Sequence, residues 1–167
     1  MIYTIGICGV SGGSCGPNGL YNLLKIKYGD KFIEYETIRA NEQLNTLKVI
    51  EIINKILINE PNSKFNLIGY SMGGTVCLYL GLYFKKYNCI NKIIFCSTQT
   101  IGFENLNNLN CKIIFFHPHN DDAIPFKYVY KLYELYPFEK NFYSLSKCNH
   151  CWENVNLIKI INLIEKS

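Results

Sequence analysis

Short apolar runs alternate with amphipathic stretches from one end of the chain to the other, and few architectures accept that order. Met1 to Cys8, Phe32 to Ile38, Lys64 to Tyr70, Asn91 to Cys96, Lys112 to His117 and Asn141 to Leu145 read as strands. Between and after them, Leu20 to Tyr28, Glu42 to Asn59, Gly73 to Tyr87, Phe126 to Leu135 and Trp152 to Glu165 carry helical spacing. In the longest of these helices Leu44, Leu47, Ile50, Ile53 and Leu57 fall near one face. Pro17 suits the opening of a helix, and Pro61 stops one. Strands separated by helices predict a parallel sheet with helices on both faces. The expectation is a doubly wound α/β fold: a mostly parallel six-stranded sheet in a three-layer α/β/α sandwich. Ligands in such sheets sit in the loops beyond the C-terminal strand ends.

The chain has 167 residues, which predicts one domain spanning 1–167. Hydrophobic residues make up 49% and charged residues 18%, enough apolar surface to bury a core. The net charge of +4 comes from scattered lysines rather than a basic stripe, so no nucleic-acid partner is expected. No apolar stretch reaches the length of a membrane span, and the N-terminus lacks the basic start of a signal peptide. A cytoplasmic location with reduced thiols is therefore expected for the eight cysteines. Nothing in the pattern predicts an oligomeric state.

Three loops hold the residues that can carry chemistry. Gly69-Tyr70-Ser71-Met72-Gly73 lies between a predicted strand and a predicted helix. A serine at that junction is held in a strained turn with its hydroxyl projecting, and small neighbours let strand and helix pass closely. The helix N-terminus offers amides and positive potential to a developing oxyanion. His117-Pro118-His119-Asn120-Asp121-Asp122-Ala123-Ile124-Pro125 starts at the end of the fifth strand. The chain has only three aspartates, and the third, Asp30, lies in an early turn, so Asp121 or Asp122 is the natural orienting acid. The other is expected to shape an Asx turn. Cys148-Asn149-His150-Cys151-Trp152 holds the only histidine after the aspartates. Serine, aspartate and histidine thus occur in the order expected for a triad on this architecture.

These residues resemble the α/β-hydrolase family from its first central strand to its last helix. Gly69 to Gly73 matches the family's nucleophile elbow, with Ser71 as nucleophile. Asp121 to Pro125 resembles its acid loop, Asp-x-x-Val/Ile-Pro, which favours Asp121, and His150 matches its catalytic histidine. Cys8-Gly9-Val10-Ser11-Gly12-Gly13 resembles its oxyanion loop, with Cys8 where a histidine is frequent. That match implies an oxyanion hole formed by the amides of Val10 and Met72. Members often begin with two further strands and carry a cap after the fourth strand read here. This chain lacks both, so the resemblance implies a minimal capless serine hydrolase. Its substrate would be a small carboxylic ester or thioester, and it would need no cofactor and no metal.

Other classes fit less of the chain. A non-catalytic binding protein on the same scaffold would need no triad. A metal-dependent hydrolase could use His117, His119 and Asp121, but only His150 remains among the histidines to complete the ligand set. Cys148-x-x-Cys151 has redox or zinc spacing, but it lies in a terminal loop without a second ligand pair.

Overall fold

The computed structural model describes residues 1–10, 16–38 and 40–167. Six strands form one sheet: β1 (Ile2–Ile7), β2 (Phe32–Tyr35), β3 (Lys64–Tyr70), β4 (Ile90–Cys96), β5 (Lys112–Pro118) and β6 (Lys140–Leu145). Their order is β2-β1-β3-β4-β5-β6, and every pair is parallel. The helices are α1 (Leu20–Tyr28), α2 (Glu42–Asn59), α3 (Met72–Phe84), α4 (Phe126–Leu135) and α5 (Leu157–Lys166). This is the doubly wound α/β architecture expected from the strand–helix alternation.

Strand pleating sorts the core into two layers, because successive side chains point to opposite faces. Ile5, Ile7, Phe65, Leu67, Ile93, Phe95, Ile113 and Phe115 pack under α2, α3 and α4. Ile68, Ile94, Cys96, Ile114 and Phe116 pack under α1 and α5. The central strands are therefore apolar on both faces and read as continuous hydrophobic runs. Helix α3 is buried along most of its circumference, from Met72 through Leu80 to Phe84, as a helix enclosed in the core must be.

Several boundaries differ from the sequence reading. Strand β2 ends at Tyr35 rather than Ile38, and Ile38 bonds the Asn45 side chain through both its amide and its carbonyl. On α2 the buried stripe is Asn45, Thr46, Val49, Ile50 and Ile53, whereas Leu47 is exposed. The last helix starts at Leu157, not at Trp152. Trp152 and Asn154 have φ of 63° and 65°, a left-handed conformation that no α-helix continues through. Asn156 then caps the helix, accepting from the amide of Lys159 at 3.1 Å. The connection after β4 is more than polar loop: it holds a short 3₁₀ helix, Phe103–Asn108, and buries Phe103, Leu106 and Leu109. Among the described residues no helix is long and apolar enough to cross a membrane.

Candidate active site

The chain turns sharply where β3 meets α3. Ser71 has φ 53° and ψ −119°, a region that costs a non-glycine residue on the order of 1–3 kcal/mol. Its surroundings enforce the turn. The Ser71 amide donates to Cys96 O at 3.0 Å, and Ser71 O accepts from the amides of Gly74 at 3.0 Å and Gln99 at 3.4 Å. Close packing demands the flanking glycines. A Cβ on Gly69 would lie 2.4 Å from Gly73 O, and one on Gly73 would lie 2.2 Å from Ile7 O. The start of α3 is thus wedged against the end of β1.

Two backbone segments lie beside Ser71. Met72 is the first residue of α3, and its N–H lies at the positive end of the helix dipole. Gly9 follows β1 and packs on the serine; a Cβ there would be 3.2 Å from Ser71 Cβ. Val10 comes next and is half exposed. Neither the Val10 nor the Met72 amide donates to another described residue.

Asp121 lies beyond the end of β5, and its side chain is wholly buried. Oδ1 accepts from the amides of Ala123 at 2.9 Å and Ile124 at 2.7 Å. Oδ2 lies 2.9 Å from His150 Nδ1, with Oδ1 at 3.1 Å. One aspartate therefore both shapes the Asx turn and engages the histidine, where the sequence reading divided those tasks. Asp122 is not idle: its Oδ1 accepts from the His150 backbone amide at 3.2 Å. Burial pulls the Asp121 carboxyl upward. The His150 hydrogen bond, the two turn amides and the imidazole charge outweigh that and leave it below the ordinary carboxylate value.

Carboxylates accept only, so His150 Nδ1 carries the proton and Nε2 is left for other work. Among the described residues, Ser71 Oγ makes no hydrogen bond to His150. Such contacts are often long in unliganded sites and tighten with substrate. The Tyr70 ring packs against the imidazole at a tilt of 34°, 5.3 Å away centroid to centroid. Trp152 anchors the same loop, with its indole fully buried and Nε1 donating to Ser97 Oγ at 2.8 Å.

The remaining sequence candidates separate from this rim. His117 is fully buried, and its Nε2 donates to Ile124 O at 2.9 Å. That nitrogen is 3.6 Å from Asp121 Oδ2, and Nδ1 has no hydrogen-bond partner among the described residues. Burial lowers the His117 pKa. His119 packs instead against Phe126 in a tilted contact, 4.8 Å between centroids, so the three residues of the alternative metal-dependent reading do not converge. Among the described residues no cluster of three or more such groups could hold a metal ion. Cys148 is buried and Cys151 is exposed, both as free thiols; the Tyr70 hydroxyl reaches Cys151 Sγ at 3.6 Å. Of the expected oxyanion loop, Ser11, Gly12 and Gly13 fall outside the described residues. Tyr70 and Ser97 were missed as contributors, and Asp122 holds the His150 backbone rather than shaping the Asx turn. Only Tyr70 had a signal, its position inside the Gly-x-Ser-x-Gly turn.

No protein-family model matches the chain, and no curated protein matches it in sequence. Solved structures do resemble it in three dimensions. Dienelactone hydrolase from Anabaena variabilis superposes with a TM-score of 0.78 at 11% identity, covering 99% of this chain and 83% of that one. A lipase-esterase related protein from Clostridium acetobutylicum gives 0.75 at 13% identity, covering 99% and 93%. An alpha-beta serine hydrolase homologue from Coxiella burnetii gives 0.74 at 13% identity, covering 98% and 84%. The parallel sheet, the helices on its two faces and these likenesses together identify the fold of this chain as the α/β-hydrolase fold.

Proposed function

We propose that the protein is a serine hydrolase that cleaves a small carboxylic ester or thioester through an acyl-enzyme intermediate. The observation that carries this reading is Ser71, a non-glycine residue held at φ 53° where β3 meets the N-terminus of α3. The hydrogen bonds and close packing around it hold that strained turn, a geometry that suits a projecting nucleophile. The His150–Asp121 pair, 2.9 Å apart on the same rim, supports it.

In this mechanism His150 Nε2 removes the hydroxyl proton as Ser71 Oγ attacks the acyl carbon. The carbonyl π electrons move onto oxygen, which the Val10 and Met72 amides stabilise. Collapse expels the alcohol or thiol, which receives the proton from His150. Water then attacks the acyl-enzyme with His150 again as base, releasing the acid and restoring Ser71. Asp121 holds the imidazole in one tautomer and stabilises its charged form. No residue assigned here requires a metal or a cofactor. The partner is a small-molecule substrate.

A fluorophosphonate probe and p-nitrophenyl esters test this directly. The wild-type protein should label at Ser71 and turn over the ester. Ser71→Ala should abolish labelling and reduce hydrolysis on the order of 10⁴-fold or more. Full labelling or turnover by that variant would reject the reading.

A further inference from the structure

We propose that Thr37 is the positioning residue of the oxyanion hole, acting through the Gly9–Val10 peptide. The inference rests on the hydrolase reading above and deepens its account of the same site. Thr37 is buried in the loop after β2, and its Oγ1 donates to Gly9 O at 2.6 Å. Gly9 is the residue whose backbone packs on Ser71. No cis peptide bond occurs among the described residues, and in a trans peptide the C=O and the following N–H point in opposite directions. Holding Gly9 O toward Thr37 therefore aims the Val10 N–H the other way. Without that bond little would oppose rotation of the peptide, because glycine on its N-terminal side tolerates most backbone angles.

Thr37 is itself held from the core. Asn45, on α2, is fully buried. Its Oδ1 accepts from the Tyr35 hydroxyl at 3.0 Å and from the Ile38 amide at 2.7 Å. Its Nδ2 donates to Asn41 O at 2.8 Å and Ile38 O at 3.4 Å. The loop is thus clamped on both sides of Thr37. On the near side, the Cys8 amide donates to Tyr35 O at 3.1 Å. A continuous set of hydrogen bonds runs from α2, through the β2 loop, to the residue beside the nucleophile. Such rigid support is what an oxyanion site requires, since its dipoles must be aligned before charge develops.

A positioned oxyanion donor acts mainly in the transition state, so its loss falls on kcat rather than KM. Thr37→Val keeps the shape and removes the hydroxyl. With p-nitrophenyl butyrate, this variant should lose about 10- to 100-fold in kcat with KM nearly unchanged. Affinity for a trifluoromethyl ketone, which forms a tetrahedral adduct on the serine, should fall by the same factor. Thr37→Ser should restore both. If Thr37→Val does not fold, Thr37→Ala, which introduces no new bulk, carries the same expectation. Wild-type kcat and ketone affinity in a folded variant lacking the hydroxyl would overturn the role. So would a loss confined to thermal stability, or failure of Thr37→Ser to rescue. The parent reading fails separately, if the wild-type protein is neither labelled at Ser71 nor active.

Discussion

Asp121 Oδ1 closes its own turn on the amides of Ala123 and Ile124, while Oδ2 faces His150 Nδ1. Asp122 accepts instead from the His150 backbone amide. On the proposed mechanism the two aspartates should therefore separate cleanly. Asp121→Asn presents a donor or a weaker acceptor to the imidazole and should lower kcat by about 10⁴-fold. Asp122→Asn keeps an oxygen for the His150 amide and should leave kcat nearly unchanged. Steady-state ester kinetics on both variants check this; the reverse ranking would exchange their roles. His117 makes a different prediction, one of stability. Burial lowers its pKa in the folded state below the ordinary 6.5, so the unfolded chain binds that proton more readily. Its contribution is whole above about pH 6.5 and is lost as pH falls toward the folded value. Thermal melts should show stability declining as pH falls below about 6.5, with a shallower decline in His117→Phe. Asp121, shifted downward, acts in a separate and more acidic window: its contribution is present above the ordinary carboxylate value and is lost below it.

At the scale of elements, the turn between β3 and α3 depends on how closely that helix approaches β1. A Cβ at Gly73 would lie 2.2 Å from the backbone oxygen of Ile7, and backbone cannot swing aside as a side chain can. Gly73→Ala should destabilise by about 1–3 kcal/mol. For a chain of this length each kcal/mol lowers Tm by roughly 2–4 °C. The same displacement would move Ser71 relative to Gly9, so activity should fall further than the stability loss explains. Calorimetry alongside ester kinetics on the folded fraction separates the two effects. The loop bearing His150 is anchored in a different way. The Trp152 indole fills the layer under α1 and α5 and donates to Ser97, which follows β4. The sequence reading placed Trp152 at the start of the last helix; its complete burial makes it a peg for the histidine loop instead.

Across the whole molecule, the C-terminal ends of β1, β3 and β5 and the loop after β6 bring Val10, Ser71, Asp121 and His150 to one rim. The connection from β4 to β5 could in principle cover that rim. Its 3₁₀ helix instead buries Phe103 and Leu106 against the body of the protein, with Phe95 and Phe103 in edge contact at 5.1 Å. A segment anchored in this way does not serve as a mobile lid. Each methylene of an acyl chain contributes roughly 0.8 kcal/mol only where a pocket surrounds it. Short or medium acyl esters should therefore be preferred, with no activation at a lipid interface. Rates against acyl length, measured below and above the micellar threshold, check this. A jump at the threshold or an optimum at long chains would contradict it.

The strand–helix alternation determined the layers and the parallel sheet, because apolar periodicity is a local property that burial turns directly into elements. The Gly69-to-Gly73 turn was equally legible, since only small residues fit where strand and helix cross. His150 and the pair Asp121–Asp122 could be named from their order along the chain. Which aspartate oxygen meets the imidazole, however, depends on how the loops after β5 and β6 fold over each other. The end of β2 at Tyr35, the buried Trp152 and the hydrogen bond from Thr37 to Gly9 likewise came only from the tertiary structure. Each joins residues distant in sequence through a single side chain, and no period or spacing along the chain records such a contact.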